Sequence, residues 1–228
     1  MKQAAFTLIE LLIVVAIIGI LAAIAVPNFL NAQCRAKISR EVSDMKAICL
    51  GVEQIRIDTG HLLIDCWDDD TEEGDEIVYR VFKGVGYEPD NARRNTTHIL
   101  APLTSPVAYL SSVPGDPFLE GSRTDEQQRG FGGWLTTYLY VDVDPKVPLT
   151  TNNNNNMNLA ALELPVCDRL GIKPLQMNEY AVVGVGPDGI LGSDAGGITP
   201  ERGVPYESSN GLVSVGDVYM RGSGGINQ

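Results

Sequence analysis

Residues Phe6 to Val26 form an apolar run of 21 residues, interrupted only by Thr7, Glu10 and Gly19. Wound into a helix at about 1.5 Å per residue, such a run reaches roughly 30 Å, the thickness of a bilayer's hydrocarbon core. Glu10 does not suit a plain anchor. A carboxylate in lipid costs on the order of 3 kcal/mol or more unless it is paired or neutralised, so an acid inside the span marks a functional position. Three simpler readings explain less. A cleavable secretory signal accounts for Ala23-Ile24-Ala25, but its apolar core is shorter, about 7–15 residues. An ordinary signal anchor accounts for the length and for neither Phe6 nor Glu10. A buried core helix seldom runs so far without polar residues.

The leader Met1–Ala5, the sequence Phe6-Thr7-Leu8-Ile9-Glu10, the long apolar helix and Pro27 at its end together resemble the type IV pilin superfamily. That superfamily includes type IV pilins and the pseudopilins of type II secretion systems, and the major pseudopilin is the nearest pattern. The resemblance implies that a membrane prepilin peptidase cuts between Ala5 and Phe6 and methylates the new amino terminus at Phe6. Ala5 departs from the glycine usual there. Glu10 takes the place of the family's intramembrane acid, which neutralises the amino terminus of a neighbouring subunit, so that neither charge stays unpaired in lipid. Also implied is a single-pass inner-membrane protein with its leader in the cytoplasm and its outer domain periplasmic or extracellular. Its partners would be further copies of itself, the peptidase and the inner-membrane assembly machinery. Charge does not fix the orientation: Lys2 precedes the span, whereas Arg35, Lys37 and Arg40 follow it.

Beyond Pro27 the pattern turns amphipathic. Phe29, Ile38, Val42, Met45, Cys49, Val52 and Ile55 recur mostly at three- and four-residue steps, with Arg40, Glu41, Asp44, Lys46 and Glu53 between them. The helix is expected to end near Thr59, with Gly60 as a left-handed cap. The organisation read from the chain is a leader (1–5), a membrane and assembly half-helix (6–27), an amphipathic half-helix (28–60) and a globular domain (61–228). The fold class expected is α+β: one long N-terminal helix, transmembrane then amphipathic, packed on a small antiparallel β-sheet.

Net charge is −12. Phosphate binding needs clusters of Lys and Arg, none of which is visible, so no nucleic-acid partner is expected. The 24 glycines and 13 prolines concentrate past Gly84 and suggest loops and short strands. Of the four cysteines, Cys34 and Cys49 lie on one expected helix about 22 Å apart and cannot bridge each other within a subunit. Cys66 and Cys167 can form a disulfide in an oxidising compartment. Four reduced thiols are the alternative, and no Cys/His spacing resembles a zinc site.

The acidic stretch Asp65–Glu76 reads as a solvated loop more readily than as a cation site, having no regular ligand spacing. Leu103–Leu110 reads as a short helix leading into the proline-bounded turn Val113–Phe118. That stretch resembles the Pro-Tyr-Leu…Asp-Pro-Phe run of major pseudopilins. Trp134–Val143 and Tyr180–Val185 read as strands, and Gly211–Arg221 as the last strand or hairpin. Asn152–Asn156 reads as a surface loop and Leu159–Leu164 as a short helical turn.

Gly186-Pro187-Asp188-Gly189-Ile190-Leu191-Gly192-Ser193-Asp194 places two carboxylates on a glycine-rich loop. They can converge on a hard cation or form a plain Gly/Asp turn. The loop resembles the calcium loop of major pseudopilins. By that resemblance Asp188 and Asp194 supply side-chain ligands and Val185 a carbonyl, with Ala195 standing where the resemblance leads one to expect a further acid. No nucleophile–base arrangement is visible around His61 or His98, so an enzyme is not expected. The function expected is a structural subunit, a major-pseudopilin-like component of a type II secretion filament. The alternatives are a type IV pilin of a surface filament for adhesion, motility or DNA uptake, and a membrane-anchored ligand-binding module.

Overall fold

The computed structural model describes residues 7–65, 72–87, 94–119, 135–144, 171–189, 191, 205–207 and 216–222. Helix α1 runs unbroken from Leu8 to Thr59, 52 residues or about 78 Å. It starts on Thr7, whose extended backbone makes it the N-cap, and it ends at Gly60, where φ is +74°. Gly60 donates its N–H to the Arg56 carbonyl at 2.9 Å, and the left-handed cap that glycine alone adopts without strain closes the helix. Pro27 lies inside the helix. It has no N–H to give the carbonyl of Ala23, one turn back, and the flanking turns carry the helix past it.

The outer half of α1 packs on a three-stranded antiparallel sheet of order β1 (Leu139–Asp142), β2 (Tyr180–Gly184), β3 (Val218–Arg221). Register pairs Leu139 with Val183 and Asp142 with Tyr180, then Ala181 with Arg221 and Gly184 with Val218. Side chains alternate along a strand. Tyr138, Tyr140, Tyr180, Val182 and Gly184 therefore share one face, and hydrogen bonds from two of these tyrosines to α1 show that this is the helix side. The core joins Met45, Ile48, Cys49, Val52 and Ile55 of α1 to strand residues and to Leu62, Leu63, Ile64, Ile99, Leu100 and Leu103. Burying one such side chain contributes about 1.5–3 kcal/mol. The expected α+β architecture is what the structure has.

Four local expectations need correction. Glu41, read as part of the polar face, is wholly buried, whereas Phe29 of the apolar set is 67% exposed. The acidic stretch is not all loop: Glu72–Arg80 is helix α2. Glu72, Glu73 and Asp75 sit in the first turn and Arg80 in the last, which suits the helix dipole, and Ile77 and Val78 are buried. Leu103–Leu110 is no helix. Helix α3 (Thr96–Leu100) and a 3₁₀ turn (Ala101–Leu103) precede it, and the Leu103 carbonyl accepts from Tyr109 and Leu110 N–H groups. The strand of 134–143 is shorter than expected, Leu139–Asp142 among the described residues, and of 211–221 residues 218–221 are strand while residues 211–215 lie outside the described residues. Residues 152–156 and 159–164 lie outside the described residues.

Candidate functional site

Two regions carry functional potential: the free half of α1 and the seam where its other half meets the domain. In the free half, from Leu8 to Val26, every residue is exposed. Its most apolar 18-residue window has mean hydropathy 3.0 with none of it buried by this chain. Such a surface is stable only in lipid or against other apolar helices. The expected cleavage and methylation positions, Ala5 and Phe6, lie outside the described residues.

At the head of this half, Thr7 and Glu10 form a reciprocal cap. Thr7 N–H donates to Glu10 Oε2 at 2.8 Å and the Thr7 hydroxyl donates to the same oxygen at 2.7 Å. The Glu10 N–H donates back to Thr7 Oγ1 at 3.3 Å. This is a capping box, and Thr-x-x-Glu before an apolar run is its sequence signature. The sequence reading took Glu10 from that run and overlooked Thr7. Glu10 therefore has donors within its own chain.

At the seam, three tyrosine hydroxyls step along α1. Tyr138 donates to Asp44 Oδ2 at 3.2 Å, Tyr180 to the Cys49 carbonyl at 3.0 Å, and Tyr109 to Asp58 Oδ2 at 2.7 Å. Tyr180 also reaches Glu53 Oε1 at 3.1 Å, and burial pushes its hydroxyl pKa well above the ordinary range. These bonds add direction to a packing force that has none. Nearby, a cleft of about 300 Å³ is lined by Glu53, Arg56, Asn178, Glu179, Tyr180 and Arg221. Arg56 pairs with Glu53 at 2.9 Å and Arg221 with Glu179, so its charges answer one another.

Closer to the membrane half, α1 meets acids gathered around the turn after β2. Glu41 Oε1 accepts the Gly186 N–H at 3.4 Å, and among the described residues its Oε2 has no partner. Asp116, from the Val113–Phe118 turn, accepts the Val185 N–H at 3.0 Å and the Phe118 N–H at 2.8 Å. Asp188 accepts the Gly216 N–H at 3.0 Å, and Asp217 is buried beside them. Burial, then the negative charge of Asp116, pushes the Glu41 carboxyl up to about 9. Burial raises Asp116 as well, against the pull of the backbone N–H groups of Val185, Phe118 and Leu119. Glu41 is therefore a neutral carboxylic acid near pH 7, which spares this corner one buried negative charge.

Of the expected calcium ligands, Val185 and Asp188 lie in this turn and Asp194 is outside the described residues. A carboxylate and a backbone carbonyl are ligands of the kind calcium takes, and Asp188 Oδ2 already accepts the Gly216 N–H. Among the described residues no three Asp, Glu, His or Cys groups are arranged to hold a metal ion. Cys66 and Cys167 lie outside the described residues, and Cys34 and Cys49 are free thiols.

Residues 1–26 match the family model of the prokaryotic N-terminal methylation motif. The chain is 30% identical over 234 aligned positions to the type IV major pilin protein PilA of Myxococcus xanthus (strain DK1622), covering 94% of this chain and 95% of that one. It is 50% identical over 56 residues to the type IV major fimbrial protein FimA of Dichelobacter nodosus, covering 25% of this chain and 36% of that one. It is 40% identical over 57 residues to the type II secretion system core protein G of Pseudomonas aeruginosa, covering 25% of this chain and 40% of that one. No solved structure matches. An apolar half-helix that its own domain leaves bare, a methylation motif at its head and a full-length likeness to a pilin agree: the chain belongs to the type IV pilin and pseudopilin superfamily, as a membrane-anchored, pilin-like filament subunit.

Proposed function

We propose that this protein is the major subunit of a type IV pilus-like surface filament. The observation that carries this reading is the likeness to PilA, which spans nearly the whole of both chains. In this reading the subunit waits in the inner membrane with its domain on the periplasmic side, after a prepilin peptidase has cut before Phe6 and methylated it. Polymerisation moves the apolar half of α1 from lipid to a bundle of like helices, which is why nothing among the described residues covers it. A second reading, a type II secretion pseudopilus, rests on the likeness to core protein G over 57 residues and on the Asp188 turn. In either filament, calcium at that turn would stiffen the domain's join to α1.

Deleting the gene and restoring it tests the assignment. Surface filaments should vanish and return, and subunits sheared from them should have the mass of a chain beginning at N-methylated Phe6. Loss of an exported protein with surface filaments intact would replace the pilus reading with the secretion reading. A mature chain beginning near Val26 would overturn both.

A further inference from the structure

We propose that the two rims of the outer domain are matching docking surfaces, the lower rim of one copy seating on the upper rim of a second copy about 40 Å along the filament axis. The inference rests on the filament reading and names the surfaces through which successive domains meet. The lower rim is where α1 leaves the domain toward its apolar half. It carries Arg35, Lys37 and Arg40 within six residues. Lys37 donates to the Pro117 carbonyl at 3.0 Å, and Arg40 lies 3.6 Å from Asp44. Arg35 is exposed and, among the described residues, pairs with no acid. The upper rim is the end of α1 with α2 beside it. Glu72, Glu73 and Glu76 are exposed there. Glu76 pairs with Arg80 at 2.8 Å, whereas among the described residues Glu72 and Glu73 pair with no base. Between the end of α1 and α2 lies a cleft of about 320 Å³, lined by His61, Glu73, Glu76, Ile77, Arg80 and Val81. Carboxylates beside aliphatic side chains suit an arginine, which has a long apolar stem and a charged head.

A second match is apolar. Phe29, just below the lower rim, is 67% exposed, and Ile57, at the upper rim, is 80% exposed. Arg35 precedes His61 by 26 residues, and Phe29 precedes Ile57 by 28. At about 1.5 Å per residue both separations come to about 40 Å. One axial displacement of a second copy therefore brings cation to acids and apolar side chain to apolar side chain together. An exposed ion pair alone binds weakly. Burying Phe29 and Ile57 beside it excludes water, which adds the apolar contact and strengthens the pair.

The test uses the full-length protein in its native host. Arg35→Lys keeps the charge and supplies an amine that a carbodiimide joins to a touching carboxylate. Within one copy that amine is too far from α2 to be joined to it. Whole cells and sheared filaments are cross-linked, and the joined peptides are read by mass spectrometry. Links should run from position 35 or Lys37 to Glu72, Glu73 or Glu76. Links from Lys46 to these acids, with none from position 35 or Lys37, overturn the proposal, as do filaments that show no link to α2. Arg35→Glu and Glu73→Arg should each lower filament yield about threefold or more at unchanged membrane level, because attraction becomes repulsion. The two together should return the yield to within about twofold of the parent. Parental yield from both single variants, or a double variant no better than either, overturns the pairing. The links without surface filaments would remove the pilus reading and give the interface to a filament held within the envelope. Neither links nor filaments would overturn both.

Discussion

The carboxyl group of Glu41 occupies the space that a side chain at position 184 would need. A Cβ built on Gly184 collides with Glu41 Oε1 and stands 2.9 Å from Met45 Cε. Glycine at the end of β2 thus lets the strand lie against α1, with the acid filling the gap and taking the Gly186 N–H.

Gly184→Ala should therefore destabilise the domain by about 1–3 kcal/mol, the usual cost of overpacking a filled core. Denaturant unfolding of the full chain in detergent measures it. In a Glu41→Ala background the same change should cost less, because the colliding oxygen is gone. Equal costs in the two backgrounds would mean that Met45 or the backbone resists the methyl group.

Glu41 also sets a pH dependence. Its carboxyl is raised from the ordinary 4.5 to about 9 in the fold, so between those values the folded chain binds more protons than the unfolded one. Stability from this group is complete below about pH 4.5 and declines as pH rises toward about 9. Burial of Asp116 works in the same direction. Glu41→Gln keeps an acceptor for Gly186 and cannot ionise. It should be more stable than the parent at pH 8, by more than about 1 kcal/mol, and nearly equal to it at pH 5. Melting in calcium-free buffer at both values is the measurement. A mutant that loses stability equally at pH 5 and pH 8 would show that the acid is needed for its shape alone.

A fragment beginning at Asn28 drops the apolar run and keeps the seam with its three tyrosine bonds. It should be soluble, folded and monomeric. Sedimentation and circular dichroism check this, and long filaments from the fragment would count against assembly through the apolar half.

How far the sequence could be read follows from the range of the forces. Hydrophobic periodicity and a glycine stop are local, so α1 and its end at Gly60 were legible, and the family resemblance supplied the small sheet it packs on. Glu41 was not. Its helical position is an ordinary one, and only the turn after β2, some 145 residues on, makes it a core residue. Asp116 was seen as part of a proline-bounded turn, and its task of holding Val185 depends on a contact 69 residues away. Helix α2 hid in its own acids, which read as solvated charge until the buried pair Ile77 and Val78 is seen on its inner side. Thr7 is different. Its capping signature was present in the sequence and was passed over in favour of the more unusual Glu10.

Calcium at the Asp188 turn, if held there, stabilises the fold by mass action, by roughly 2.7 kcal/mol at 100 times its dissociation constant. Chelation should lower the melting temperature of the full chain in detergent, and readdition should restore it. Asp188→Ala should remove the response. It should also cost some stability in chelator, since the Gly216 N–H loses its acceptor. Identical melting with calcium and with chelator in the parent would leave Asp188 as the bracket between its turn and Gly216.

Glu10 offers the sharpest contrast between anchor and assembly determinant. In an anchor, a carboxylate inside the span is a cost on the order of 3 kcal/mol, only partly offset by the Thr7 donors. Glu10→Val removes that cost, so the mutant should reach the membrane at parental level or above. In the proposed filament the same change removes the acceptor for a neighbouring amino terminus, so filament yield should collapse. Glu10→Gln separates charge from hydrogen bonding, because its amide oxygen can still take the Thr7 N–H and hydroxyl. It should insert like the valine variant and assemble poorly, since a neutral amide attracts an ammonium group far less than a carboxylate does in a low-dielectric medium. The comparison is membrane level against filament yield for the three proteins in one strain. Filaments at parental yield from Glu10→Val would reduce the segment to an anchor. Filaments from Glu10→Gln with none from Glu10→Val would make the acid's role one of hydrogen bonding and not of charge.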